Sequence, residues 1–198
     1  MSTETEQKEE RKILNMDYDG SLIHDRFGYE YFRDNYNFTG NIISFRGKME
    51  VTTNLIDKED LLNKDFIYSD DAINFCWEIP NVDAFAGVAF QRLFVTHVSN
   101  LLGRILNTTF IVSGDDILYR TQAGENSFKK ASVSISTHKN GAVLGHLGIN
   151  INAGEKAPAF AFSTEISDDN LLSFVKESEM IFYHLTRSIF IATTKTVS

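Results

Sequence analysis

Residues 114–152 read GDDILYRTQAGENSFKKASVSISTHKNGAVLGHLGININ, and the alternation inside this stretch decides the fold. Residues 131–137 and 143–151 are patterned as strands. Between them stands Asn140-Gly141, the dipeptide that a two-residue hairpin turn prefers because its central positions need positive φ. In the first strand Ala131, Val133 and Ile135 are expected on one face and Lys130, Ser132, Ser134 and Ser136 on the other. In the second, Leu147, Ile149 and Ile151 share a face, and Leu144, His146, Gly148 and Asn150 share its opposite. Antiparallel pairing is expected to set the two polar rows side by side. That would make a concave surface with one lysine, several hydroxyls, an imidazole, an amide and a glycine that lets a ligand approach. The plainer alternative is that the polar row is the solvent face of a sheet. Serine is a poor strand former, so three alternating serines ask for a reason.

Outward from the hairpin, residues 109–112 and 117–119 predict two more strands, with a turn at 123–126. Residues 85–106 predict a long helix, since Phe90, Leu93, Phe94, Val98, Leu101, Leu102 and Ile105 recur at three- and four-residue steps. Upstream, residues 21–36 predict a helix with an imperfect apolar stripe, 41–46 a strand ending in a turn at Gly47, and 57–62 a short helix. Residues 66–68 suggest a strand, and Ser69-Asp70-Asp71 an N-cap for a helix through Trp77. Downstream, Ser167 is expected to cap a helix to about Arg187, with a closing strand at 189–194. Tandem antiparallel strands beside helices, without regular βαβ alternation, argue for an α/β fold of the α+β type. Its sheet is expected to be mixed and largely antiparallel, flanked by helices.

Composition narrows the function classes. The 198 residues are close to one domain in size, and 42% are apolar, enough for a sizeable core. Residues 1–12 read as a disordered charged tail and 13–198 as a single domain. The net charge is −8, and only −1 of it belongs to the first twelve residues. An acidic domain whose densest basic pair is Lys129-Lys130 is not expected to bind nucleic acid through a broad patch. Cys76 is the one cysteine, which rules out an intrachain disulfide and a thiolate metal cluster. It reads as a buried core residue. The opening is charged and no run of about 18 apolar residues occurs, so neither a signal peptide nor a membrane span is expected, and the location is expected to be cytoplasmic. The five histidines lack metal-ligand spacing, and no zinc or other metal site is expected.

The segment Asp115-Asp116-Ile117-Leu118, a turn, and Phe128-Lys129-Lys130-Ala131-Ser132-Val133-Ser134 resembles a pattern of lipoate protein ligases. There it reads Asn-Asp-aliphatic-aliphatic, a turn, then Lys-aliphatic-Ser-Gly-Ser. Leu147-Gly148-Ile149-Asn150-Ile151-Asn152 is similar to the biotin ligase run Ile-Gly-Ile-Asn-Val-Asn. The resemblance implies a biotin/lipoate protein ligase-like, class II synthetase-like fold. It implies that Lys130 is the catalytic lysine that contacts an acyl carboxylate and the α-phosphate of an acyl-adenylate, a task suited to a compact ammonium. Lys129 is expected to face away. ATP and Mg²⁺ would be the cofactors, and a carrier protein a partner beside the small-molecule ligand. The sequence departs from the ligases in two places. Where they carry a Gly-rich, Arg-containing adenylate loop, this chain reads Phe66-Ile67-Tyr68-Ser69-Asp70-Asp71, and Val133 replaces their glycine. Landmarks over roughly residues 17–152 also resemble a prokaryotic family, domain-of-unknown-function family 366. They include Tyr18-Asp19-Gly20, Ser44-Phe45-Arg46-Gly47 and Gly114-Asp115-Asp116-Ile117-Leu118-Tyr119.

The candidate site is therefore Lys130 with Arg46, Asp116, Ser132, Ser134, His146, Gly148 and Asn150 as ligand-binding residues. Arg46 is a bidentate clamp for carboxylate or phosphate, or else a surface ion-pair partner. Asp70-Asp71 and Asp115-Asp116 hold Mg²⁺ together, or else cap a helix and a turn. Three functions compete. One is an acyl transferase or ligase for a small carboxylic acid or its adenylate. Another is a non-catalytic small-molecule or nucleotide-binding module on the same fold. The third is an assembly subunit with an aromatic interface.

Overall fold

The structure, a computed structural model, describes residues 12–121 and 127–195. Nearly all of the expected tail, and the turn at 123–126, lie outside the described residues. In chain order the strands are β1 (Leu14–Asn15), β2 (Asn41–Val51), β3 (Ile67–Pro80), β4 (Phe110–Ser113), β5 (Asp116–Arg120), β6 (Phe128–Lys130), β7 (Ser132–Lys139) and β8 (Ala142–Asn152). The α-helices are α1 (Gly28–Phe32), α2 (Lys58–Asn63), α3 (Ala84–Ile105) and α4 (Asp168–Thr194).

Two sheets form. The larger has the order β1-β2-β3-β8-β7, and β4-β5-β6 make the smaller one. Only β1 runs parallel to its neighbour; the other pairs are antiparallel. The mixed, largely antiparallel α/β architecture is the expected one. Helices α3 and α4 cover one face of the large sheet, where Phe75, Trp77, Phe90, Phe94, Phe174 and Phe182 interlock. The opposite face is covered by the irregular chain before β2 and after it. There Tyr18, Ile23, Phe27 and Leu55 bury against Phe45, Met49, Cys76 and Leu144. Cys76 is fully buried.

Strand β3 explains the largest departure from the sequence reading. It is one 14-residue strand, not a short strand followed by a capped helix. Ile73, Phe75 and Trp77 feed the helix-side core while Ala72 and Cys76 feed the other. A central strand buried on both faces thus outweighs the local capping signal. Ser69 caps nothing; its hydroxyl bridges the carbonyls of Asp71 and Asn152 at 3.0 Å each. Strand β2 likewise runs through Gly47 with a register shift between Gly47 and Met49 instead of turning there. Residues 21–36 break into short 3₁₀ pieces around α1 rather than one helix. The expected closing strand is the end of α4, which continues to Thr194 with residues 187–195 exposed. Its i→i−4 backbone bonds continue the helix instead. The short helix after Asp57 and the long helix α3 form as expected, capped by Asp57 and Asp83.

Candidate functional site

The hairpin turn forms as the sequence predicts, with Asn140 and Gly141 at φ 51° and 75°. Its register gives a different face assignment from the expected one. A two-residue turn pairs Lys139 with Ala142, so every even-numbered position of β7 meets an odd-numbered position of β8. Ser132 lies opposite Ile149 and Ser134 opposite Leu147, whereas Val133 lies opposite Gly148 and Ile135 opposite His146. Directly opposed residues share a face. The serines therefore point to the helix side, and His146, Gly148 and Asn150 to the other. The two polar rows do not meet.

The buried serines have a structural task. Ser132 Oγ accepts from the Ile117 N–H at 2.8 Å, which ties β7 to β5. Ser134 Oγ accepts from Gln91 Nε2 and donates to the His146 carbonyl, both at 2.9 Å. Gly148 makes room for protein rather than for a ligand alone. A Cβ there would stand 2.9 Å from Met49 Sδ and 3.1 Å from His146 Cε1.

Lys130 closes β6, and only Ala131 separates it from β7. Its ammonium lies 2.9 Å from Asp116 Oδ1, and both side chains are about one-third exposed. Lys129, the preceding residue, is exposed. The backbone around Lys130 is pinned on both sides. Its N–H donates to the Phe160 carbonyl at 2.7 Å, and its carbonyl accepts from the Phe162 N–H at 2.8 Å. Asn150 Nδ2 also reaches that carbonyl at 3.4 Å, while Asn150 Oδ1 is buried with no hydrogen-bond partner among the described residues. A buried acceptor left open is unusual, since such atoms are nearly always paired.

On the face opposite the helices lies a cavity of about 40 Å³. Tyr18, His146, Val133 and Ile135 form its wall, and Leu55, Asp57 and Asp60 form its cover. His146 is stacked under Tyr18 with ring centroids 3.8 Å apart, and its Nε2 lies 2.9 Å from Asn74 Oδ1. Burial pushes the imidazole pKa from 6.5 down to about 3, so the ring is neutral near pH 7. Burial, followed by the neighbouring Cys76, holds the Tyr18 phenol well above its usual range. Asp60 is raised by burial first and then by Asp57 and Asp65, against the opposing charge of Lys130.

The depressed histidine makes stability depend on pH. Below pH 6.5 the unfolded imidazole takes up a proton that the folded one refuses until about pH 3. Stability is thus fully present above 6.5 and falls as pH drops through that window, by about 1.4 kcal/mol per unit. Between pH 6.5 and 5 His146 should remove about 2 kcal/mol. Denaturant melts of the wild type and His146→Gln across this range should converge by that amount as pH falls. Parallel profiles would show that the ring is not buried in its neutral form.

Arg46 sits elsewhere. It lies opposite Ile73, a helix-side core residue, so it faces the start of α4 and not His146. Asp71 takes two hydrogen bonds from it, at 3.0 Å from Nε and 2.7 Å from Nη2, and Asp168 a third at 2.6 Å from Nη1. These carboxylates, Asp71 first, hold the guanidinium charged even more firmly than usual. Three strand spacings, about 14 Å, separate it from the Lys130 edge. The acids proposed as metal ligands are each engaged. Asp70 accepts from Tyr68, Asp71 from Arg46, Asp115 from Gln91, and Asp116 from Lys130. The structure thus brings Lys130, Asp116 and Asn150 together and sets His146 and Gly148 further along the same face. Ser132, Ser134 and Arg46 are on the other face. Sequence reasoning missed Tyr18, Asn74 and Asp60 as neighbours of the site. A polar Asn74 inside an apolar strand was the available signal.

Solved structures with a similar fold include ligases. A protein of unknown function from Pyrococcus horikoshi superposes with a TM-score of 0.79 at 24% identity, covering 94% of this chain and 95% of that one. A bi-partite lipoate protein ligase from Thermoplasma acidophilum, studied with its E2 lipoyl domain, gives 0.52 at 12% identity, covering 87% and 83%. The biotin protein ligase of Aquifex aeolicus gives 0.51 at 11%, covering 89% and 70%. At these identities the likeness shows the fold, which is ligase-like. No curated protein sequence matches the chain. The family model for a domain of unknown function, DUF366, matches residues 8–197, and the chain belongs to that family.

Proposed function

We propose that this protein binds a small carboxylic acid, either free and then activated by ATP to its adenylate with release of pyrophosphate, or already carried as an adenylate or thioester, and passes its acyl group to an amine or a carrier protein. The observation that carries this reading is the Lys130–Asp116 pair, 2.9 Å apart at the β6–β7 junction, where Asn150 reaches the Lys130 backbone carbonyl. An ammonium has three donors, and Asp116 occupies one of them. The others remain for a carboxylate or phosphate oxygen, where the positive charge offsets charge that develops during transfer. The ligase-like fold and the lysine's place in it support the same reading. In the transfer step the acceptor nitrogen attacks the acyl carbon, the bond to phosphate or sulfur breaks, and the nitrogen's proton leaves to solvent. ATP–pyrophosphate exchange and acyl transfer from thioesters, run over a panel of short acids, test it. Activity should fall about 100-fold or more in Lys130→Ala, as for loss of one electrostatic contact to the transition state. Absence of both activities across the panel would overturn the enzymatic reading.

A second reading is a binding module that keeps the fold without the reaction. One observation favours it. Residues 67–71 are the start of β3, paired with β2, rather than a free glycine-rich loop that could wrap a phosphate. Ligand binding that depends on Lys130 with no turnover of any acyl donor is its signature.

A further inference from the structure

Strand β2 has an open stretch on its outer side. Strand β1 pairs in parallel only with Phe45 and Arg46, and upstream of Phe45 no strand of the described residues lies against that side of β2. Met16 N–H donates to the Arg46 carbonyl at 2.9 Å, so the main-chain groups of Arg46 point outward. Alternation turns those of Ser44 and Ile42 the same way. This stretch forms the bottom of a groove of about 340 Å³. Phe32 of α1 stands on one side of it, and Leu172, Val175 and Lys176 of α4 on the other. Ser44, only 7% exposed, also lines the groove, and its Oγ has no hydrogen-bond partner among the described residues. Buried polar groups and strand edges of this kind are normally paired. Lys12 and Lys176 outnumber the one acid of the lining, Glu179, in a chain whose net charge is −8.

We propose that this groove takes an extended segment of a partner protein, laid against β2 as an added strand, with apolar side chains at alternate positions and acidic residues toward Lys12 and Lys176. Main-chain pairing supplies the affinity of such a strand, and the alternate side chains its specificity. The edge is recessed between α1 and α4, so a single strand fits where the equally recessed edge of a second copy does not. The chain's own residues 1–11 are a poor match, since Met1 is their one apolar side chain. The inference is independent of Lys130, which adjoins β7 at the opposite edge of the sheet. A partner held here leaves that edge uncovered.

Fluorescence anisotropy on the full chain tests it, beside hydrogen exchange of the Ile42 and Ser44 amides. The probes are labelled heptapeptides, Asp-X-Thr-X-Thr-X-Glu, with X as Val, Leu or Phe. At least one should bind and slow both amides about tenfold or more. Exchanging its two acids for lysines should weaken binding severalfold, and Lys176→Glu, an exposed change on α4, should invert that preference. N-methylation of alternate peptide amides should abolish binding, which a merely hydrophobic contact would tolerate. Ile42 and Ser44 amides already protected without peptide overturn the proposal. Protection that rises with protein concentration would then point to a second copy, and protection that does not, to residues 1–11. Binding that survives N-methylation, a preference for the lysine peptides in the wild type, or no binding by any probe overturns it as well.

Discussion

Gly145→Ala should destabilise the fold by about 3 kcal/mol or more, at the top of the range for overpacking a rigid core. Gly145 pairs directly with Trp77 across β8 and β3. A Cβ built on it would stand 2.1 Å from Trp77 Cε2 and 2.2 Å from Cζ2. The indole cannot retreat. It is fully buried, with Phe94 at 5.5 Å and Phe90 at 6.4 Å between ring centroids, and Phe94 is itself held by Phe182. A single methyl therefore has to move either a central strand or the whole aromatic cluster. Chemical denaturation of the variant should show a much lower midpoint with an unchanged slope. A change below about 1 kcal/mol would mean that the sheet and α3 are not packed this closely.

The second large effect is expected from Glu78→Ala, at about 3 kcal/mol. Glu78 is 1% exposed and gathers the irregular chain onto the sheet. Its Oε1 accepts from Arg26 and from the Tyr36 hydroxyl, each at 2.9 Å, and its Oε2 accepts from the Gly28 N–H at 2.9 Å. Arg26 is 39% exposed, so its own ion pair is screened and contributes little. The cost comes from the buried Gly28 N–H left without a partner and from the lost anchor of residues 26–36. Phe27, now buried against the sheet, would be loosened with them. Glu78→Gln keeps one acceptor oxygen, enough for the Gly28 N–H or for Arg26 and Tyr36 but not for both sides, and should cost less than the alanine variant. Hydrogen exchange should localise the loss to residues 23–36 in the alanine variant. Uniform exchange across the sheet would contradict the local account.

Much of this architecture was legible in the amino-acid order, and the exceptions have specific causes. The hairpin was plain because Asn140-Gly141 carries its own backbone preference, and α3 because its apolar stripe is sustained over 22 residues. Strand β3 was obscured by Ser69-Asp70-Asp71, an N-cap signal that tertiary pairing with β2 and β8 overrides. The end of α4 looked like a strand because Ile189, Phe190 and Ile191 favour β structure in isolation, but they continue the helix to Thr194.

The site shows the same division. The closeness of Lys130 and Asp116 was legible because local order along the chain places them on the paired strands β5 and β6. The face of the serines was recoverable too. A two-residue turn fixes the parity of every pair, and that parity alone puts Ser132 and Ser134 with Leu147 and Ile149. Tyr18 over His146, in contrast, joins positions 128 residues apart in sequence, a juxtaposition set by how the chain before β2 folds over the sheet. Alternation within a strand holds no information about it.

The central claim is that Lys130 contacts the anionic end of a bound acid. Its most direct test is titration calorimetry of a panel of short carboxylic acids and their non-hydrolysable adenylate analogues, on the wild type and on Lys130→Ala. The account predicts at least one ligand whose affinity falls about tenfold or more in the variant, the loss of one charge-assisted contact. Affinity that is unchanged in Lys130→Ala for every ligand that binds would contradict it.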